Sequence, residues 1–323
     1  MYTCRHMKIA FVGKGGSGKT TVSSLLSRYL ADAGFPTIAI DADINQHLGT
    51  MLGMPPEDVS SMPHMGIEMV KIKEYLRGSN PRITRAEDMI KTTPPGTGSR
   101  MLSVQEENEI YTYFSRVIHG VRLMAVGAFN EDDLGVRCYH SKTGSVELLL
   151  NHLIDTEGEY VIVDMTAGAD EFASGLFTRF DVTFLVVEPT TKSVSVYEQY
   201  KKYARDHDVV IKVIGNKVED DSDDAFLRQA VGDDLIATLH MSPFVKKIDR
   251  GETSGTEKLE TRNEQALVSI TSFIDTQEKN WEKFYRQAVE FHKKNAEGWA
   301  NEATGINLSE QIDPDFTLTQ RKV

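Results

Sequence analysis

The sequence contains very little cysteine. Cys4 and Cys138 are the only two among 323 residues. Two thiols cannot build a disulfide framework, so small disulfide-stapled folds are excluded and a reducing compartment is favoured. Long apolar runs are also missing, since no segment approaches the ~18 residues that a membrane helix needs. The opening residues, MYTCRHMKIAFVG, lack the layout of a signal peptide. We therefore expect a cytoplasmic protein with no membrane span.

Positive charge is scarce as well. Lysine and arginine number 36 against 48 aspartates and glutamates, which gives a formal net charge of −12. Non-specific binding to nucleic acid depends mainly on basic side chains that replace phosphate counterions, so no nucleic-acid partner is expected. Hydrophobic residues make up 40% of the chain, enough for a sizeable core in one large α/β domain or two small ones.

Short apolar runs alternate with helical patterns along most of the chain. Uniformly apolar runs are typical of parallel strands covered by helices on both faces. A helical pattern at 20–33 follows the first run and ends next to a glycine. We predict an α/β fold with a doubly wound, mostly parallel sheet flanked by helices. The predicted strands are 8–12, 36–40, 121–126, 160–164, 182–187, 209–215 and 235–239.

The alternation breaks in two places. Residues 50–120 are rich in proline, methionine and glycine, and we interpret them as an insertion of short helices and loops on the surface. After residue 262 the pattern is helical. We therefore predict a main domain at 1–262 and a C-terminal helical extension with a tail at 263–323. The apolar face of that extension would either pack on the main domain or dock a partner.

Residues 13–20 read GKGGSGKT, the G-x-x-x-x-G-K-[ST] phosphate-binding loop, placed between a predicted strand and a predicted helix. Its glycines let backbone N–H groups face phosphates at the positive end of the helix. Lys19 is expected to reach the β and γ phosphates, and the Thr20 hydroxyl to bind Mg²⁺. The full predicted phosphate-binding set is Gly13, Lys14, Gly15, Gly16, Ser17, Gly18, Lys19, Thr20 and Thr21.

Two acidic motifs follow later strands, at the sheet edge where ligands bind in such folds. They are DADIN at 41–45 and DMTAG at 164–168. Asp164 is expected to hold Mg²⁺ through water, Asp43 to orient an attacking water, and Asp41 to support the loop or the metal shell. Acidic residues at strand ends are often only helix caps. Beside one phosphate loop, they indicate nucleotide hydrolysis.

Together, GKGGSGKTT, DADIN, DMTAG and GNKV at 215–218 resemble the deviant-Walker ATPases of the MinD, ParA and nitrogenase-iron-protein class, which belong to the SIMIBI class of P-loop proteins. The resemblance implies a homodimer around ATP in which Lys14 reaches the nucleotide of the other subunit. Lys14, Lys19 and Asp43 are then the catalytic residues of a slow, switch-like ATPase.

The same resemblance assigns Asn216 to the adenine edge, with Lys217 beside it. Lys217 does not continue into the N-K-x-D motif with which GTPases bind guanine, because Val218 and Glu219 follow it. ATP is therefore expected rather than GTP.

Residues 7–255 are most similar to the CooC-type ATPases, which insert nickel during maturation of carbon monoxide dehydrogenase. That similarity implies a client metalloenzyme. Those proteins carry a Cys-x-Cys pair that binds metal across the dimer, and they have glutamate where Thr166 stands here.

In this chain Cys138 is present and His140 takes the place of the second cysteine. Two copies would supply a Cys₂His₂ shell for Zn²⁺ or Ni²⁺. The i, i+2 spacing places both side chains on one side of an extended segment. An incidental pair is the alternative, and Cys4-x-His6 shows the same pattern with less reason.

A second class of function fits the same motifs: a positioning or partitioning ATPase that binds membrane or DNA. A ParA-like protein would need a basic surface, which the acidic composition opposes. A MinD-like protein would need a basic amphipathic helix near the C-terminus. The 278–303 segment mixes glutamates with its lysines, so metalloenzyme maturation is favoured.

Overall fold

A mostly parallel sheet forms the centre of the molecule. The computed structural model describes residues 7–128, 139–166, 175–252 and 258–318. Within these residues the sheet has eight strands in the order β10-β9-β8-β1-β7-β2-β5-β4, and only β4 is antiparallel to its neighbour. The doubly wound fold is therefore confirmed. The eight are β1 (Met7–Gly13), β2 (Thr37–Ala42), β4 (Ser115–Ile118), β5 (Val121–Ala125), β7 (Tyr160–Met165), β8 (Val182–Val187), β9 (Ile211–Val218) and β10 (Leu235–His240), while β3 (Leu102–Ser103) and β6 (Leu153–Ile154) pair separately.

Helices cover both faces of the sheet. One face carries α6, α7 and α8 over a core that includes Leu149, Tyr200 and Leu227. The other face carries α1 and α10, whose Leu26 and Ile270 pack on the sheet. The helices are α1 (Lys19–Asp32), α2 (Leu48–Met51), α3 (Pro56–Ser61), α4 (Met69–Arg77), α5 (Glu109–Phe114), α6 (Tyr139–Asn151), α7 (Thr191–Ala204), α8 (Asp221–Val231), α9 (Pro243–Asp249), α10 (Thr261–Ile274), α11 (Trp281–Asn295) and α12 (Asn301–Thr304). No helix in these described stretches is long and apolar enough to cross a bilayer.

The segment 50–120 contains the expected short helices and loops, but it also contains β3 and β4 and is more than a surface elaboration. Ile72 and Leu76 lie one helical turn apart on α4, and both are buried in the same core cluster as the central strands. Phe114 at the end of α5 joins them. The chain then forms β4 and pairs with β5 at the sheet edge. The segment therefore supplies part of the main core and an edge strand.

The C-terminal helices pack on the protein's own sheet. Lys279, which precedes α11, forms ion pairs of 2.6 Å with Asp155 and Asp181. Phe284 is buried beside Ile154, and its carbonyl oxygen accepts a hydrogen bond from the buried Arg179 at 3.0 Å. Of the two uses expected for the apolar face of this extension, the structure shows packing on the main body.

The residues expected to form a tail also lie against the body, as far as residue 318. His292 on α11 is fully buried, and its two ring nitrogens face Thr92 Oγ1 at 3.3 Å and the Leu308 carbonyl oxygen at 3.0 Å. Burial lowers the pKa of His292 to about 4. A neutral imidazole thus ties the inserted segment, α11 and the C-terminal residues together.

Acid should therefore destabilise this junction. The folded-state pKa of His292 lies below its unfolded value of about 6.5, so the unfolded chain binds more protons as pH falls from 6.5 towards 4. Within that window His292 should remove up to about 1.4 kcal/mol of unfolding free energy per pH unit. Urea unfolding at several pH values measures this dependence. In His292→Gln the dependence should be shallower than in the parent protein.

The matched control is the exposed His119→Gln, which should keep the parent pH dependence. Equal slopes for the parent and His292→Gln would contradict a buried neutral imidazole.

Candidate nucleotide-binding site

The phosphate loop joins β1 to α1 at the carboxyl edge of the sheet. Two of its glycines are required by close approaches. A Cβ at Gly13 would lie 2.4 Å from the Val186 carbonyl oxygen, and one at Gly18 would lie 2.0 Å from Asn216 Nδ2. Gly18 precedes α1 with a positive φ of 92° and no side-chain cap. The first N–H groups of α1 are therefore available to an anion.

A cavity of about 510 Å³ opens over this loop. Eight of the residues predicted from the sequence line it, and they come from the loop, the DADIN motif and β9. The lining also includes residues that were not among the predicted site residues, from the end of the DADIN motif, from α2 and the residue before it, from the end of α9 and from the residue after β7. The predicted residues are Gly15, Gly16, Gly18, Lys19, Thr20, Thr21, Asp43 and Lys217, and the others are Ile44, Asn45, His47, Thr50, Met51, Thr166, Ile248 and Asp249.

Lys19 and Asp43 form a buried ion pair at this cavity. Lys19 Nζ lies 3.5 Å from Asp43 Oδ2, and neither residue is more than 5% exposed. Asp43 Oδ1 is held separately by the backbone N–H and the side-chain amide of Asn45, at 2.9 and 3.1 Å. One carboxylate oxygen is thus anchored to the loop and the other faces the ammonium. This arrangement can neutralise a phosphate and align a water at the same time.

Two further carboxylates lie side by side on neighbouring strands. The register of β2 and β7 pairs Asp41 with Asp164, and both are buried. Burial raises the pKa of Asp164 to about 7, opposed by a 2.6 Å hydrogen bond that the Thr20 hydroxyl donates to Oδ2. Burial, and then the negative charge of Asp164, raise the pKa of Asp41 well above its usual range. Such a pair disfavours two negative charges unless a cation is close.

The donor set beside Thr20 fits Mg²⁺. Asp164 Oδ1 is buried with no hydrogen-bond partner among the described residues, so it can accept from a metal-bound water. In the described part of the chain no three His, Cys, Asp or Glu side chains cluster to hold a metal. Mg²⁺ does not need such a cluster, because it keeps several waters and binds through one or two protein oxygens together with phosphates.

Asp41 supports the DADIN loop. Its Oδ1 accepts the Asp43 N–H at 3.2 Å and its Oδ2 accepts the Leu48 N–H at 2.8 Å. Of the two roles that the sequence left open for Asp41, these bonds supply loop support. The metal-shell role stays a prediction.

Three side chains connect the phosphate loop to neighbouring segments through main-chain carbonyls: Lys14, Asn216 and Lys217. The Lys14 ammonium donates to the Lys192 carbonyl of its own chain, at the start of α7. Asn216 Nδ2 donates to the Ser17 carbonyl at 2.8 Å. Lys217, whose φ is 59°, donates to the Gly16 carbonyl at 2.5 Å and pairs with Glu188 at 2.6 Å. The adenine role of Asn216 and the intersubunit role of Lys14 stay predictions.

The predicted transition-metal pair falls mostly outside the described residues. Cys138 is not among them, and neither is the side chain of His140. The backbone of His140 does correct one expectation. His140 lies in helix α6, whose described residues are Tyr139–Asn151, and not on an extended segment. Thr166, noted only as a departure from a family motif, lines the nucleotide cavity.

Curated relatives share most of their length with this chain. The carbon monoxide dehydrogenase accessory protein CooC of Rhodospirillum rubrum is 30% identical over 77% of this chain and 88% of its own. An uncharacterized ATP-binding protein of Methanocaldococcus jannaschii is 27% identical over 83% and 97%. Among solved structures, the septum site-determining protein MinD of Pyrococcus horikoshii, complexed with Mg-ADP, has a TM-score of 0.55 and 15% identity over 84% of this chain and 96% of its own.

The likeness in fold agrees with the mostly parallel sheet flanked by helices. Residues 9–298 match the family model described as the CobQ/CobB/MinD/ParA nucleotide binding domain. The chain therefore belongs to the MinD/ParA family of P-loop nucleotide-binding proteins, as its motifs predicted.

Proposed function

We propose that this protein is a Mg²⁺-dependent ATPase that dimerises around ATP and acts in the maturation of a metalloenzyme. One observation carries the ATPase part. The buried pair Lys19 and Asp43 lies in the same cavity as Thr20, whose hydroxyl contacts the buried Asp164. A positive charge for phosphate, an oriented carboxylate for water and oxygen ligands for Mg²⁺ are thus within one site.

The chain's own residues divide the work. The N–H groups at the start of α1 and the Lys19 ammonium bind the phosphate oxygens and offset charge that develops on them during hydrolysis. Asp43, held through Oδ1, presents Oδ2 to a water and fixes its direction of attack. Thr20 and Asp164 would hold Mg²⁺, which when bound supplies charge neutralisation between the phosphates.

Two substitutions separate binding from turnover. Lys19→Ala should abolish ATP binding, because it removes the buried charge that meets the phosphates. Asp43→Asn should bind ATP with near-parent affinity and lower kcat by about 10²-fold, because only the water-orienting carboxylate changes. Calorimetric titration gives the affinity, and phosphate release gives kcat.

The exposed Asp206→Asn is the matched control for the loss of one carboxylate, and it should retain parent turnover. If Asp43→Asn hydrolyses ATP at the parent rate, Asp43 does not orient the water.

The dimer part of the proposal concerns Lys14. Within the described part of the chain, its ammonium donates to a neutral carbonyl, that of Lys192. The triphosphate of a facing subunit is a stronger electrostatic partner for an ammonium than a carbonyl dipole. That Lys14 belongs to the phosphate loop and yet does not line the cavity of its own chain supports such an exchange.

Light scattering of Asp43→Asn with ATP and Mg²⁺ should therefore show a dimer, since this variant retains ATP. Adding Lys14→Ala should raise the dimer dissociation constant at least tenfold. Lys192→Ala is the control, because that residue contributes its main-chain carbonyl while its side chain is exposed. A protein that stays monomeric with ATP, or a dimer indifferent to Lys14, would contradict the intersubunit contact.

Similarity to a carbon monoxide dehydrogenase accessory protein supports the maturation role. The likeness to MinD structures does not favour a positioning role equally, because identities of 15–18% reflect the fold alone. The acidic composition also opposes binding to anionic membranes or DNA.

Co-sedimentation with anionic vesicles in the presence of ATP distinguishes a maturation factor from a membrane-binding positioning ATPase. A maturation factor should stay in the supernatant.

A shared metal site would link the ATPase to a metalloenzyme client. We expect one Zn²⁺ or Ni²⁺ per dimer, held by Cys138 and His140 from each subunit. Binding requires thiolate and neutral imidazole, so affinity should fall as pH drops through the histidine range. Metal content after loading and desalting measures the stoichiometry.

The ion should be lost in Cys138→Ser and in His140→Ala and kept in Cys4→Ser, which serves as the matched thiol control. Stoichiometric binding that survives Cys138→Ser would place the metal elsewhere and contradict this assignment.

A further inference from the structure

Gln46, one residue beyond the DADIN motif, has an unfavourable backbone conformation. Its φ is 52°, in the left-handed region that residues other than glycine seldom adopt. Such a conformation is energetically unfavourable, and it persists only where surrounding contacts compensate for it. The contacts of the Gln46 side chain therefore indicate why this backbone conformation is maintained.

The carboxamide of Gln46 bridges two segments of the chain. Its Nε2 donates to the Asp43 carbonyl at 2.5 Å and approaches Asp41 Oδ1 at 3.3 Å. Its Oε1 accepts the N–H of Gly127, just beyond β5, at 3.1 Å. The partners also fix the amide orientation, because a carbonyl and a carboxylate require the nitrogen and an N–H requires the oxygen.

Gly127 has no room for a side chain, because it lies close to His64. Its φ is 105°, and a Cβ there would lie 2.8 Å from Cβ of His64. A neighbouring bond, from the Val126 N–H to the Asp41 carbonyl at 2.9 Å, fixes the same stretch to β2. The end of β5 is thus a firm support for the oxygen of the Gln46 side chain.

Through this bridge Asp43 is fixed on three sides. Its N–H binds Asp41 Oδ1, its Oδ1 binds Asn45, and its carbonyl binds Gln46. Besides the ion pair with Lys19, which faces the cavity, the bond from Gln46 ties Asp43 to a support outside the DADIN loop. Without it, the loop could shift relative to the phosphate loop, and a displacement of 1 Å can lower a rate by about 10²-fold.

We propose that Gln46 is the positioning residue for Asp43: it adopts a strained backbone so that its carboxamide anchors the water-orienting loop to the end of β5. The inference rests on the proposed ATPase function and deepens it. Among the described residues Gln46 does not line the cavity, and it acts through Asp43. Its loss should therefore affect turnover and not ATP affinity.

Two variants separate the hydrogen bonds from the strain. Gln46→Met keeps the length of the side chain and loses the carboxamide, while Gln46→Gly also relieves the positive φ. Both should lower kcat about tenfold or more, with the ATP dissociation constant within about threefold of the parent value. Gln105→Met is the matched control, since that exposed carboxamide binds Glu159, and it should retain parent kcat.

A double-mutant comparison tests whether Gln46 acts through Asp43. In an Asp43→Asn background, Gln46→Met should cause no further loss of the residual turnover, because the group that it positions is already altered. Losses that multiply, parent-like turnover in Gln46→Met, or an ATP affinity that falls in step with kcat would each overturn the positioning role.

These outcomes are separable from failure of the ATPase proposal. If Asp43→Asn is slow and Gln46→Met is not, only the Gln46 inference is lost. If Asp43→Asn turns over at the parent rate, or the parent protein does not hydrolyse ATP, both are overturned.

Discussion

The register between β2 and β7 places Asp41 and Asp164 side by side near the carboxyl ends of these two central strands, where both are buried. Two adjacent carboxylates in a low-dielectric position are unfavourable unless donors and positive charge surround them. The neighbouring parts of the site supply these. Thr20 donates to Asp164, the loop N–H groups donate to Asp41, and Lys19 lies at the same edge beside Asp43. The geometry of the site therefore follows from the need to accommodate this pair.

The position of this carboxylate pair within the sheet also explains why some residues of the site are rigid and others are adjustable. Asp164 and Asp41 belong to central strands, so they cannot move without disturbing the sheet. Asp43 lies beyond the strand end and depends on side chains that hold its loop, of which Gln46 reaches outside the motif to Gly127. Lys14 and Lys217 bind main-chain carbonyls around the phosphate loop. The two aspartates within strands thus have fixed positions. The loop residues around them are held by hydrogen bonds that single substitutions can remove.

Much of this was predictable from local sequence. The seven parallel strands are mainly apolar and mostly buried, so they are visible as runs such as 182–187. The phosphate loop and the two acidic motifs are each one unbroken stretch of sequence. Each follows a strand, which implies that all three lie at the same edge of the sheet. Features that depend on distant partners were not predictable. β4 pairs with β5 only because the inserted segment folds back into the core. The role of Gln46 depends on its contact with Gly127, 81 positions away. His140 lies in helix α6, where spacing alone suggested an extended segment.

The central claim is that the paired carboxylates and Thr20 form a Mg²⁺-nucleotide site. The most direct measurement is the ATP dissociation constant with excess Mg²⁺ and with EDTA, for the parent protein and for Asp164→Asn. Mg²⁺ should tighten ATP binding at least tenfold in the parent. Asp164→Asn should lose this gain while still binding metal-free ATP, because Lys19 and the loop are unchanged. Equal affinity with and without Mg²⁺ in the parent, or a full Mg²⁺ gain that persists in Asp164→Asn, would contradict a Mg²⁺-nucleotide site at these residues.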